Sequence, residues 1–333
     1  MRTLKDLKVE GKTVLLRTDY DVPLKQGKVQ DDTRIRASLP TITFLLDRGV
    51  KAISILCHLD RPGGRVVEAL KVEPVLSRLR SLLPQGALVE VRENLRFHPG
   101  EEANSLDFAK QLAGYGELFV NDAFAASHRS HASIVSLPKL LPCSIGLQFE
   151  KELLTLSKVR EHPRRPLVAV IGGAKLETKL PLIEKLAEIA DEVLVGGKLA
   201  QEIGNACSPK AMACISVAKL TKDGKDITKE SAFSFAQKIE TAGTVFWNGP
   251  MGVFEEPAHD LGTKIIAQAI NAAPGFTVIG GGDTEAAATK FKAEEGVDHI
   301  SLGGGAMLQY VANGTLVGLT AIEERGEDGQ SGN

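Results

Sequence analysis

The chain has 333 residues, with 40 Lys+Arg against 42 Asp+Glu, a formal net charge of −2, 43% hydrophobic content and 33 glycines. That length suits about two domains, each large enough to bury its own core. The near-balance of charge argues against a general nucleic-acid or membrane-surface binder, which ordinarily carries a basic excess. Cys57, Cys143, Cys207 and Cys214 lie far apart, with no CxxC and no clustered histidines. Neither a disulfide framework nor a zinc site is indicated, and reduced thiols are expected. The N-terminal MRTLKDLKVEGK carries charges where a signal peptide needs an apolar stretch, and no 18-residue apolar run occurs. A cytoplasmic protein that neither crosses nor coats a membrane is expected.

In chain order, short runs of Val, Ile and Leu alternate with longer segments of helical period. The first half predicts strands at Val14–Arg17, Ala52–Leu56, Leu88–Val91 and Leu118–Val120, with helices at Arg34–Leu46, Pro74–Leu83 and Glu102–Leu112. The second half predicts strands at Leu167–Ile171, Val193–Val195, Thr244–Trp247, Thr277–Ile279 and His299–Ser301, each followed within a few residues by a helical pattern. Apolar runs of this length between helices point to parallel sheets covered on both faces. The expected fold class is α/β: two doubly wound, Rossmann-like, three-layer domains whose parallel sheets face a central cleft. The charged helical segment Glu150–His162 and the following Pro163–Pro166 mark the division. It separates a domain at 1–147, a joining helix at 148–163, a second domain at 164–320 and a polar, mobile tail at 321–333. No exposed heptad or apolar patch is evident, so a monomer is expected. In such sheets ligands bind beyond the carboxyl ends of the strands.

Four segments of the second half put glycines directly after a strand: Gly172–Lys175, Gly196–Lys198, Gly280–Thr284 and Gly303–Ala306. A strand, a glycine turn and a helix N-terminus together present backbone N–H groups and a positive dipole end, which suits phosphate. One such turn is commonly just a tight turn, but four in one domain, with Lys175 and Lys179 one helical turn apart, favour a polyphosphate site. GxxxxGK[ST] and GxGxxG are both missing, so neither a Walker loop nor the usual dinucleotide fingerprint is present. Asp283 suits Mg²⁺ held jointly with phosphate oxygens, or a helix N-cap.

In the first half, Arg17 and Asp19 close the first strand and Arg34 begins the next helix. His58 and Arg61 follow the second strand, Arg96 the third, and His128, Arg129 and His131 the fourth. Arginines after successive parallel strands converge on one edge of the sheet, where their planar forks suit carboxylate and phosphate. One domain therefore reads as a small-anion pocket and the other as a nucleotide-phosphate pocket. Together they imply a kinase for a small phosphorylated or carboxylated metabolite, closing to exclude water. Ser144–Gly146 and the start of the 150–162 helix are the expected flexible elements.

These residues resemble those of the phosphoglycerate kinase family over about 17–318. The landmarks are RTDYDVP (17–23), DDTRIRASLPTI (31–42), HLDRP (58–62), ENLRF (93–97), NDAFAASHRSHAS (121–133), GGAKLETK (172–179), WNGPMGVFE (247–255), GGGDT (280–284) and SLGGGA (301–306), all in family order. The resemblance implies reversible transfer of a phosphoryl group between 1,3-bisphosphoglycerate with ADP and 3-phosphoglycerate with ATP, with Mg²⁺ as cofactor. It implies that Asp19, Arg34, His58, Arg61, Arg96 and Arg129, with position 21, hold 3-phosphoglycerate, and that Arg34 also reaches the transferring group. For the nucleotide it implies Gly173, Lys175, Lys179, Gly197, Asn248, Glu255, Gly280, Gly281, Gly282 and Thr284, with Asp283 on Mg²⁺. Arg34, Lys175 and the amides around Gly281 and Gly304 would stabilise the charge in transit.

The sequence also departs from the family pattern. Asp21 stands where the family has Asn, adding a carboxylate that should repel an anion unless a cation compensates. The motif usually read SHLGRP is CHLDRP, Ala125 and Ala126 replace a glycine and a threonine, and Leu302 replaces a threonine. A block between Gly197 and Trp247 that helps form the family's adenine pocket is shortened to Ala200–Gly243. An active kinase is therefore weighed against a non-catalytic binding protein on the same fold and against a kinase with altered nucleotide or carboxylate substrate. Lys175→Ala separates the first two.

Overall fold

The computed structural model describes residues 2–174, 176–204 and 206–328. Two compact units divide the chain: residues through Leu153 together with those from Thr315 onward, and Leu154–Gly314.

The first unit carries β1 (Thr13–Arg17), a short hairpin of β2 (Leu24–Lys25) and β3 (Lys28–Val29), β4 (Ala52–Leu56), β5 (Val89–Val91), β6 (Leu118–Asn121) and β7 (Cys143–Ile145). Its parallel sheet runs β5-β4-β1-β6-β7. The chain steps outward from β1 to β4 and β5, then returns to the other side of β1 with β6. Strand order therefore reverses between β1 and β6, the position at which doubly wound sheets open a crevice. Register puts Arg17 opposite both Leu56 and Asn121, so three strands end at one level. Val14, Leu16, Ile53, Ile55 and Val120 are buried in one apolar cluster, as expected of strands covered on both faces.

The second unit repeats the plan with β8 (Leu167–Ile171), β9 (Glu192–Val195), β10 (Ile215–Val217), β11 (Thr244–Asn248), β12 (Phe276–Gly280) and β13 (His299–Ser301). Its order is β10-β9-β8-β11-β12-β13, reversing between β8 and β11, where Ile171 lies opposite Asn248. Val168, Val170, Val245, Trp247 and Ile279 lie in its core.

The structure corrects several expectations. β7 and β10 are three residues each, too short for a period to declare itself, and were not foreseen. The helix expected over Glu102–Leu112 is two, Pro99–Glu102 and Leu106–Ala113. The break falls where Asn104 takes a positive φ of 51° and the Ser105 hydroxyl caps the second helix by accepting from Phe108 N. The joining helix spans Leu147–Arg160 and crosses the division between the units. Residues 315–320 were expected in the second domain and 321–333 as a loose tail. Instead a helix at Val317–Asp328 packs in the first unit, with Leu316, Leu319, Ala321 and Ile322 buried and Gly318 N donating to Ser127 O at 3.0 Å. Its apolar residues fall at a helical spacing that ends just where the polar run begins.

Candidate functional site

In the first unit, the ends of β1, β4 and β6 bring together groups far apart in sequence. Arg17 is 1% exposed. Its Nη2 lies 3.0 Å from His58 Nδ1, its Nε donates to Ser133 Oγ at 3.1 Å, and its Nη1 donates to Thr18 O. An arginine can only donate, so His58 Nδ1 accepts and the ring proton sits on Nε2. That nitrogen faces Asp21 Oδ2 at 3.7 Å. Burial first, then the positive field of Arg17, Arg96, His131 and Arg129, holds the His58 pKa well below that of a free imidazole. His128 and His131 are pushed down to about 4, by burial and by neighbouring arginines. The histidines here are therefore neutral at pH 7, and the positive charge belongs to the arginines.

Four buried atoms in this cluster have no hydrogen-bond partner among the described residues: Arg96 Nε, Asp19 Oδ1, Thr18 Oγ1 and His131 Nδ1. Arg96 is 3% exposed and donates through Nη1 to Asp60 O at 2.7 Å, while Glu102 Oε1 lies 3.5 Å from its Nε. Asp19 accepts from Ala125 N through Oδ2 at 2.6 Å, and burial raises its pKa against the pull of Arg34 and Arg17. Orphaned buried groups are costly and rare in native proteins. A donor and an acceptor left open among arginines fit a ligand with an anionic group and a hydroxyl.

Further buried groups hold this cluster in place. The fully buried Glu101 accepts from Ser133 N at 3.0 Å and from Ser133 Oγ at 2.6 Å, and Ser133 Oγ in turn accepts from Arg17. Asp21, expected to repel an anion, is occupied: its Oδ1 accepts from Asp60 N at 2.8 Å and its Oδ2 faces His58. Arg34 lies in the first turn of the helix Thr33–Asp47 and within the field of Asp19. Arg129 is half-buried among the histidines, whereas Arg61 is exposed, with no hydrogen bond or ion pair to the cluster among the described residues. Arg17, Glu101, Ser133 and His131 form the support. Of these, Arg17 and His131 stand after strands and Ser133 closes the 121–133 landmark, while nothing local in the sequence marks Glu101.

In the second unit, glycine turns after β8, β9, β11 and β12 line a cavity of about 500 Å³ that includes Gly173, Gly197, Gly252, Glu255 and Asp283. Close backbone approach explains the glycines. A Cβ on Gly172 would fall 2.1 Å from Pro250 O, and one on Gly304 would fall 2.3 Å from Gly281 Cα. The turns at Gly281 and Gly304 thus meet. The Asn248 amide ties them by donating to Gly280 O at 2.7 Å and Gly304 O at 3.4 Å. Thr284 is buried behind the wall, where its Oγ1 accepts from Gly249 N at 2.8 Å. Lys179 Nζ donates to Gly172 O at 2.6 Å and lies 3.5 Å from Asn248 O, at the reversal between β8 and β11. Gly282 opens the helix Gly282–Lys290. Lys175 lies outside the described residues.

Asp283 is the second residue of that helix, and Gly281 occupies the cap position, so the N-cap alternative does not hold. Its exposed carboxylate borders the cavity. No group of three or more His, Cys, Asp or Glu side chains suited to a metal occurs among the described residues. One carboxylate beside phosphate-binding turns fits Mg²⁺ arriving with a polyphosphate, not a metal caged by protein alone.

A family model described as phosphoglycerate kinase matches residues 4–92, 85–213 and 204–313. The phosphoglycerate kinase of Moorella thermoacetica is 38% identical over 390 residues, covering 97% of this chain and 99% of the relative. That of Thermomicrobium roseum is 38% identical over 392 residues, with 97% and 100% covered. Among solved structures, phosphoglycerate kinase from Coxiella burnetii gives a TM-score of 0.82 at 29% identity, covering 98% of this chain and 99% of that one. The enzyme from Pyrococcus horikoshii gives 0.81 at 29% identity, with 98% and 100% covered. The alignments run over some 390 residues where this chain has 333, so the relatives carry several tens of residues without a counterpart here. The matched stretches meet at 85–92 as well as at 204–213, so the expected shortening after Gly197 is joined by a second break before β5 ends. Matched along nearly its whole length in sequence and in fold, the chain belongs to the phosphoglycerate kinase family.

Proposed function

We infer that the chain catalyses reversible phosphoryl transfer between 1,3-bisphosphoglycerate with ADP and 3-phosphoglycerate with ATP, as a cytoplasmic monomer serving glycolysis. The observation that carries this reading is the pair of open buried groups, Arg96 Nε and Asp19 Oδ1, inside an arginine cluster of the first unit. A phosphorylated hydroxy acid supplies both the anionic oxygens and the hydroxyl that they lack. Arg96, Arg129 and Arg61 would hold carboxylate and phosphate, with His58 donating from Nε2 and Asp19 accepting from the hydroxyl. Arg34 would meet the transferring group.

In the second unit the turns around Gly173, Gly197, Gly281 and Gly304 offer N–H groups, and Lys179 adds positive charge beside them. Lys175 takes its expected role from its place in GGAKLETK. Mg²⁺, when bound, neutralises nucleotide phosphate charge, and Asp283 is the side chain that would hold it. No protein nucleophile is required, because positioning and electrostatic stabilisation carry this chemistry.

The test is a coupled assay with 3-phosphoglycerate, ATP and Mg²⁺, run beside Arg34→Ala. Turnover that falls by on the order of 10²–10³ in the variant supports the reading. Folded protein without turnover overturns it in favour of a binding protein on this fold. Elution as a dimer in size-exclusion chromatography would overturn the monomer assignment.

A further inference from the structure

The first unit holds a second cavity, of about 470 Å³, that the candidate site does not use. Its lining comes from the stretch after β5, which supplies Phe97 and His98, from the helix Leu106–Ala113, which supplies Phe108 and Gln111, and from Tyr115 just beyond that helix. Arg96 is not part of this wall, although Leu95 and Phe97 on either side of it are. Val66 and Tyr115, which also line the cavity, are 68% and 44% exposed, so apolar surface is left in solvent here. The second break in the family match ends at residue 92, on the Arg92 of the same wall. Residues that the relatives carry at that break are therefore missing beside this cavity.

The wall combines rings with one well-held cation. The His98 and Phe108 rings stack, with centroids 4.1 Å apart and planes 2° from parallel. The Arg92 guanidinium lies 4.3 Å from the centroid of the Tyr115 ring, and its Nε donates to Ser54 Oγ at 2.7 Å, so the fork is fixed in place. Its Nη2 meets Glu90 Oε2 at 2.9 Å, an exposed pair that solvent screens. Nη1 makes no hydrogen bond or ion pair among the described residues. Glu93, the acidic residue of the lining, is engaged with the backbone, its Oε1 accepting from Val72 N at 3.1 Å and from Asn94 N at 2.8 Å. The Gln111 side chain is exposed and makes no hydrogen bond among the described residues.

We propose that this cavity is a binding site for a small planar aromatic carboxylate, separate from the arginine cluster and from the cavity of the second unit. Its volume falls among those of small-molecule sites, which are lined by apolar and aromatic groups with a few placed polar ones. A flat ring gains stacked or edge contacts against Phe97, Phe108 and Tyr115 that a saturated ring of equal size forgoes. The carboxylate accepts from Arg92 Nη1 in a charge-assisted hydrogen bond, with the Gln111 amide as a further donor. An uncharged analogue loses the first of these, and an amine meets the guanidinium as a like charge.

The experiment measures binding of 2-naphthoate to the full chain by equilibrium dialysis. Beside it run 2-naphthamide, which keeps the rings without the charge, and decahydro-2-naphthoate, which keeps the charge and size without the aromatic faces. One site with a Kd below about 1 mM is expected, with each analogue weaker by about fivefold or more. Arg92→Leu and Tyr115→Ala are each expected to weaken 2-naphthoate by about fivefold or more. Arg129→Ala, in the arginine cluster, is expected to leave it unchanged. Thermal unfolding reports whether each variant folds, and Tyr115→Ala, at an exposed position, decides if Arg92→Leu is unstable. Absence of saturable binding, either analogue bound as tightly as 2-naphthoate, or unchanged affinity in the wall variants overturns the proposal. Binding lost in Arg129→Ala overturns it as well, since the anion then sits in the arginine cluster. None of these readouts is turnover, so the outcome is independent of the kinase reading.

Discussion

The first unit assembles its candidate site from side chains after β1, β4, β5 and β6, whereas the second assembles it from backbone amides on glycine turns after β8, β9, β11, β12 and β13. The consequence is a difference in what each tolerates. The side-chain site depends on burial, since desolvation keeps His58, His128 and His131 neutral and leaves Arg96 Nε and Asp19 Oδ1 open. Its sensitivity is to lost charges and lost supports. The backbone site depends on close approach, so its sensitivity is to added atoms, as the contact between Gly281 and Gly304 illustrates.

The largest expected effects break the two sites by their own means. Arg96→Ala removes a buried charge from the arginine cluster, and should lower kcat/KM for 3-phosphoglycerate by on the order of 10²–10³. Gly304→Ala adds one methyl group where 2.3 Å is available, and should lower kcat by at least about 10² while the KM for 3-phosphoglycerate changes little. Steady-state kinetics on both variants check the contrast, and a Gly304→Ala enzyme with normal kcat would remove the close-approach argument.

Next comes the support beneath the first site. Glu101→Ala leaves Ser133 N and Oγ short of a buried acceptor and unpins the hydroxyl to which Arg17 donates, which should cost about 1–3 kcal/mol in denaturant unfolding and raise the KM for 3-phosphoglycerate. The stability loss without the change in KM would show that Glu101 does not position the arginine.

A subtler contrast is acid sensitivity. His128 and His131 stay neutral down to about 4 in the folded chain, against an ordinary value of 6.5. Unfolding takes up protons between those values, so their contribution to stability is complete above about pH 6.5 and declines as the pH falls toward 4. In the second unit, Asp191, Asp223 and Glu256 have lowered pKa values, and their contributions are lost only further into acid. Asp122, pushed up to about 6 by burial, and Asp19, also raised, work the other way in the first unit, so hydrogen exchange at pH 7 and pH 5 should show protection falling first around His128 and His131. The smallest effect is expected from Asp21→Asn. Removing a half-exposed charge that is already paired should lower the KM for 3-phosphoglycerate by no more than about fivefold.

Much of this was written locally. Strands such as β1, β4, β8 and β11 announce themselves as buried apolar runs, and the glycines and arginines after them mark the strand ends because ligand chemistry needs those residue types at that edge. The order of the motifs along the chain was enough to establish the family. Other features required the folded chain. β7 and β10 are too short to show a period, and the C-terminal helix lies in the first unit because its buried face meets residues far upstream in sequence. Glu101, Ser133, Arg17 and His58 are joined only in space, across more than a hundred residues between Arg17 and Ser133. Which histidines are neutral, and which arginine N–H is left open, follows from burial and from neighbours supplied by other strands. Burial and long-range contact are properties of the packed molecule, so no window of sequence contains them, whereas periodicity and turn chemistry are local and can be read directly from the chain.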